Sequence, residues 1–165
     1  MIYIHVTWQN CYCFQLSCSM VIIDDIIDNG DTRRGKHCWY LNEDVGLRGL
    51  YDAILIYSTI NDTLKQKFFN SHKYGAMTRS VLKTSHDLLL GHKCEVETSN
   101  SKEPILKKFT HHRYYTISKY KTTAVVNCAF EMAFNLANIT DKEVLLLSRY
   151  AVDNVGYLFQ VQVSR

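Results

Sequence analysis

A single proline, Pro104, and seven glycines among 165 residues constrain the fold more than any other feature of this chain. An all-β sandwich needs turn signals about every 8–12 residues, and this sequence does not supply them. Long helices remain as the expected building material. Hydrophobic residues make up 47% and charged residues 21%, which excludes a disordered tail, a mucin-like stalk or a collagen-like repeat. The length points to one domain covering 1–165. A net charge of +3 is too mild to call for a nucleic-acid partner, and none is expected.

Hydrophobic periodicity divides the chain into helical stretches. The first is expected from about Tyr12 to Asp28, ended by Asn29-Gly30 and followed by a polar turn over 31–36. Residues 45–60 place Val45, Leu50, Ile54 and Tyr57 at helical spacings, and Asn61-Asp62 is read as opening a further helix. An amphipathic helix over 77–96 carries Val81, Leu82, Leu88 and Leu89, and 98–104 reads as a loop. Pro104 suits the first turn of a helix running to about Leu136. After a turn at 138–141, Thr140 is a candidate N-cap with Glu143 three residues on, and an apolar helix reaches the C-terminus.

The apolar run 11–27 is interrupted by Gln15, Ser17 and Ser19 and closed by Asp24 and Asp25, so it is not expected to span a membrane. It has neither a basic n-region nor a small-residue cleavage site, and it reads as a buried helix whose end enters a polar cavity. A cytoplasmic location is expected. The cysteines at 11, 13, 18, 38, 94 and 128 form no C-x-x-C pair, which points to free thiols in a reducing compartment. The histidines show no H-E-x-x-H spacing, so no zinc site is expected.

The strongest chemical signal is Asp24-Asp25-Ile26-Ile27-Asp28, with Arg33-Arg34 shortly after. On a helix Asp24 and Asp28 lie one turn apart on one face, where like charges repel. Such a cluster persists when a cation neutralises it or solvent screens it. Mg²⁺ is the natural cation, being hard and commonly held by carboxylates together with substrate phosphates. Arginines supply bidentate donors for phosphate oxygens. As a plain salt-bridge cluster the two charge types would cancel, whereas a metal–diphosphate cradle uses both. The competing reading is a solvated helix end with a charged turn. A second basic cluster, Lys102, Lys107, Lys108, Arg113, Lys119 and Lys121, faces only Glu103 in the same interval. It fits a nucleic-acid stripe, a solvated helix face, or, at Lys121-Thr122, donors at the rim of a phosphate pocket.

The segment from Asp24 to Tyr40, D-D-I-I-D-N-G-D-T-R-R-G-K-H-C-W-Y, closely resembles the first aspartate-rich (DDxxD) motif of the farnesyl diphosphate synthases, short-chain trans-isoprenyl diphosphate synthases. Tyr120-Lys121-Thr122 is similar to that family's Y-K-T element, and Phe159-Gln160-Val161-Gln162 to the start of its second aspartate motif. Order and spacing agree over nearly the whole chain, which corresponds to the middle portion of a longer protein. The resemblance implies an all-α fold, a partial isoprenoid-synthase-type antiparallel helix bundle around an apolar cavity. It implies a Mg²⁺-dependent prenyltransferase of isoprenoid biosynthesis that condenses an allylic prenyl diphosphate with isopentenyl diphosphate, working as a homodimer. It assigns Asp24, Asp25 and Asp28 to the metal, with Asp25 contributing less directly. Arg33 goes to the allylic diphosphate, Arg34 to isopentenyl diphosphate, and Lys121, Thr122 and Gln160 to the allylic site. Asp24, Asp28, Arg33 and Lys121 carry the catalysis.

The departures from the family are specific. Val163 and Ser164 stand where the second motif has aspartates, and Met1 to Gln9 do not resemble the family. Ser19 and Met20 occupy the aromatic positions that limit product length, with the small Ser19 favouring a longer pocket. Around Gly91 the polar positions of a Q-T-x-x-G-Q element hold Asp87, Leu88 and His92. A chain truncated at both ends, as a shortened gene product, splice variant or pseudogene product, is therefore expected, with little or no activity alone. Two alternatives follow: a terpene synthase that ionises a prenyl diphosphate without condensation, or a catalytically dead partner of a full-length paralogue.

Overall fold

The computed structural model describes residues 2–108 and 110–163, and the chain divides into two compact units, Met1–Tyr74 and Gly75–Arg165. The all-α expectation holds, the strands being two residues each.

The first unit opens with α1 (Ile2–Ile27). This helix begins ten residues before the expected start at Tyr12, since nothing between Ile2 and Cys11 is a glycine or proline that would break it. Its end falls where expected, closed by a Schellman turn. Asn29 takes the left-handed conformation (φ 53°), the Gly30 amide donates to the Asp25 carbonyl (2.9 Å), and the Asn29 amide to that of Ile26 (3.4 Å). The polar turn forms a tight hairpin, β1 (Thr32–Arg33) against β2 (Lys36–His37), with Arg33 opposite Lys36. Arg34 (φ 54°) and Gly35 (φ 76°) both lie in the left-handed region, as a type I′ turn requires.

Helix α2 (Gly49–Phe68) packs against α1 and runs unbroken through Asn61-Asp62, which corrects the helix start expected there. Ile60, Leu64 and Phe68 are buried one turn apart, and that stripe outweighs the modest helix cost of Asn and Asp. The buried face also differs from the expected one: Gly49 and Ala53 face inward, while Leu50 and Ile54 are exposed. A methyl group on Gly49 would lie 3.3 Å from Val45 Cγ1 and 3.4 Å from Trp39 Cδ1, so close approach rather than large side chains defines this end of the helix.

The second unit comprises α3 (Tyr74–Asn100), α4 (Ile105–Lys108), α5 (His111–Ser118), a π-helical turn (Lys119–Thr123), α6 (Ala124–Ala137) and α7 (Lys142–Val163). Helix α3 absorbs the start of the expected loop, where Thr98 donates its hydroxyl to the Cys94 carbonyl (2.7 Å). Val81 and Leu88 are buried on it as expected, but Leu82 and Leu89 are exposed. The single helix expected from Pro104 to Leu136 is instead interrupted: Thr110 caps α5, its hydroxyl accepting from the Arg113 amide at 3.3 Å. At α7 the cap is Asp141 rather than Thr140, with Asp141 Oδ1 accepting from the amides of Glu143 (2.8 Å) and Val144 (3.2 Å). A carboxylate at N-cap outranks a threonine hydroxyl one residue further out.

Cys13, Cys18, Cys38, Cys94 and Cys128 are reduced and form no disulfide. The Cys11 and Val163 side chains, with Ser164 and Arg165, lie outside the described residues. Among those described, no helix is long and apolar enough to cross a membrane.

Candidate functional site

The acidic trio sits at the carboxyl end of α1, which carries no basic residue in its last turn. The helix dipole is negative there, so three carboxylates at this end oppose helix stability. Asp24 is partly buried, Asp25 is 6% exposed and Asp28 is exposed. The hairpin turns Arg33 back onto Asp25. Arg33 Nε donates to Asp25 Oδ1 (2.8 Å) and Oδ2 (3.0 Å), and Nη2 donates to Oδ1 (2.6 Å). The same Nη2 lies 3.9 Å from Asp24 Oδ2. Asp25 and Arg33 thus form a plain ion pair, contrary to the expectation that these charges would not simply cancel. A buried carboxylate needs a charged, hydrogen-bonded partner, and the hairpin supplies one. Asp25 is thus committed to Arg33, while Asp24 and Asp28 share the adjacent face.

Small residues make this fit possible. A methyl on Gly30 would lie 3.6 Å from Cys38 Sγ and 3.7 Å from Asp25 Oδ1. Cys38 is buried, and burial together with the Asp25 carboxylate pushes its thiol above the usual range. The Tyr40 hydroxyl donates to the Gly30 carbonyl (3.0 Å), fixing the aromatic end of the motif to the turn. Arg33, hydrogen-bonded to Asp25, is held more firmly protonated than a free guanidinium. Arg34 is exposed at the tip of the hairpin. Beside the ion pair lies a mainly apolar cleft of about 430 Å³, walled by Val21, Ile22, Trp39 and Ile56. Ser19 and Met20 are both buried on α1, and the Ser19 hydroxyl donates to the Leu16 carbonyl (2.8 Å).

In the second unit, Lys121 and Thr122 lie within the π-helical turn. The Lys121 ammonium pairs with Glu95 of α3, and the Thr122 hydroxyl donates to the side-chain carbonyl of Gln160 on α7. Gln160 is 7% exposed. Two of these groups escaped the sequence reading: Glu95, and Gly156, whose Cα faces Thr123 directly. Their signal is present as matching spacings, Gly91 to Glu95 and Gly156 to Gln160. Half of the basic stripe, Lys108, Arg113 and Lys121, is engaged within the chain. Arg113 pairs with Glu103, and Lys108 Nζ donates to the Ser99 carbonyl (2.6 Å). The Arg113 pairing pulls the Glu103 carboxyl below its usual range.

The Polyprenyl synthetase family profile matches residues 11–162. The farnesyl pyrophosphate synthase of Gallus gallus is 29% identical over 153 residues, covering 92% of this chain and 42% of that protein. That of Nezara viridula is 33% identical over 147 residues, covering 86% and 35%, and farnesyl pyrophosphate synthase 2 of Arabidopsis thaliana is 31% identical over 153, covering 89% and 43%. The chain thus spans less than half the length of these relatives. Among solved structures, a bisphosphonate complex of Trypanosoma brucei farnesyl diphosphate synthase superposes with a TM-score of 0.76 at 21% identity, covering 94% of this chain and 47% of that one. A polyprenyl synthetase from Streptomyces coelicolor gives 0.70 at 16% identity, covering 88% and 39%. At such identities these structures speak to the fold, and the fold is shared. With the family profile running from the middle of α1 almost to the end of α7, this chain belongs to the polyprenyl synthetase family.

Proposed function

We propose that this chain forms the first-aspartate-motif portion of a farnesyl diphosphate synthase-like trans-prenyltransferase, which condenses an allylic diphosphate with isopentenyl diphosphate. The observation that carries this reading is the placement of Asp24 and Asp28 one turn apart at the end of α1 where negative charge is least welcome, with Arg33-Arg34 held beside them on a type I′ hairpin. Hard carboxylate oxygens suit Mg²⁺, and Asp24 and Asp28 are the residues that would hold it, with Asp25 acting through Arg33. Held there, magnesium would supply positive charge that makes a diphosphate a better leaving group.

The chain's own residues do the rest. Arg33 turns Nε and Nη2 to Asp25, which leaves Nη1 to donate to an oxygen of the allylic diphosphate. Arg34, at the hairpin tip, is assigned to isopentenyl diphosphate. Lys121, Thr122 and Gln160 are assigned to the allylic diphosphate, and the buried Ser19 and Met20 to the length of the product. A homodimer and a cytoplasmic location belong to the same proposal. Because Val163 and Ser164 replace two aspartates of the second motif, condensation by these residues alone is expected to be weak.

The test is a product assay with Mg²⁺, isopentenyl diphosphate and dimethylallyl or geranyl diphosphate. Any elongated product should disappear on chelation of the metal and in Asp24→Ala. Hydrocarbon or alcohol released from a prenyl diphosphate alone would move the chain to the terpene synthases. Turnover indifferent to Asp24 would contradict both readings.

A further inference from the structure

The π-helical turn that carries Lys121 and Thr122 is gripped from both sides by one repeated device. On α3, a methyl group at Gly91 would lie 2.8 Å from the Lys121 amide nitrogen and 2.8 Å from the Tyr120 carbonyl carbon. One helical turn later, Glu95 takes the Lys121 ammonium. On α7, a methyl at Gly156 would lie 2.1 Å from Thr123 Oγ1 and 2.7 Å from Thr123 Cα. One turn later, Gln160 takes the Thr122 hydroxyl. Each flanking helix therefore offers a glycine that admits the backbone of the turn, and a polar residue at i+4 that holds the adjacent side chain.

A π turn is an irregularity in an α-helix, rare and found mostly at functional sites. It needs an outside restraint to stay in place. Here the restraint comes in register: the glycines fix the backbone at Tyr120–Lys121 and at Thr123, and the side chains held are the two between them. We infer that Gly91, Glu95 and Gly156 are positioning residues, which keep the turn π-wound so that Lys121 and Thr122 both aim at the diphosphate. This rests on the assignment of Lys121 and Thr122 to a diphosphate made above. It adds that the assignment depends on two glycines and a glutamate that act through the turn.

The probe is inorganic pyrophosphate with Mg²⁺, titrated into the 165-residue chain by calorimetry, with helicity and thermal unfolding followed in parallel. Gly91→Ala and Gly156→Ala should each weaken pyrophosphate binding at least tenfold. Deleting Tyr120, which converts the π turn into regular helix while keeping α5 and α6 in register, should do the same with little loss of helicity. Adding Thr123→Ala to Gly156→Ala removes the nearest clashing atom and should restore part of the binding. Leu64→Ala, a buried residue of α2, should lower the melting temperature without changing affinity. Glycine and deletion variants that bind as tightly as the parent would overturn the inference, as would a loss of affinity that only tracks the fall in melting temperature and is shared by Leu64→Ala. A parent chain that binds no pyrophosphate would overturn the diphosphate assignment itself, and the inference with it.

Discussion

Asp25 and Asp28 differ by three positions and are assigned opposite work. Asp25 is buried in the Arg33 fork, so Asp25→Asn leaves a guanidinium without its charged partner. Urea unfolding should show a loss of about 1–3 kcal/mol. Asp28 is exposed at the negative end of the α1 dipole, and Asp28→Asn should stabilise the fold by about 0.3–1 kcal/mol. Equal destabilisation by both changes would refute this division between structure and metal binding. The trio and the arginine pair were legible in the sequence because D-D-x-x-D and R-R are local patterns. The Asp25–Arg33 pairing was not, because it depends on a hairpin that reverses the chain between residues eight apart. Glu95 was hidden for a similar reason: 26 residues separate it from Lys121.

Among the elements, helix ends obeyed local chemistry where one residue dominated, and departed from expectation where packing did. The stop at Asn29-Gly30 was readable, whereas Asn61-Asp62 was misread as a start because the buried stripe of Ile60, Leu64 and Phe68 carries α2 through it. Asp141→Ala should cost about 1 kcal/mol in thermal unfolding, and Thr140→Ala far less, if Asp141 is the cap of α7. The segment before α5 is tied by Arg113 to Glu103, which lowers the carboxyl pKa in the folded state. A lowered folded pKa means this tie contributes above the unfolded carboxyl range and is lost as pH falls through the folded value. An NMR titration of the Glu103 carboxyl should therefore show a midpoint below the ordinary glutamate value of about 4.3, returning toward it in Arg113→Ala. A midpoint unchanged by Arg113→Ala would contradict the tie.

At the scale of the whole molecule, the apolar surface is the feature that periodicity could not place. Tyr51, Ile54 and Leu55 on α2, and Leu146, Leu147, Tyr150 and Leu158 on α7, are all more than half exposed. Apolar residues at such density mark surfaces that are covered in use. Light scattering should therefore give a mass above 19.2 kDa at working concentration, and a strict monomer would contradict that expectation. The fold class was legible from helical spacing and motif order, but which face of each helix is buried was not, because Gly49 and Ala53 define the inward side of α2 by being small.

Under the proposed function, Asp24 and Asp28 hold a divalent cation that carries a diphosphate. Calorimetric titration of inorganic pyrophosphate into the chain, with and without Mg²⁺, tests it most directly. Binding should require Mg²⁺ and vanish in the Asp24→Asn/Asp28→Asn double variant while the helices remain folded. Binding that persists without the metal, or in the double variant, would contradict it.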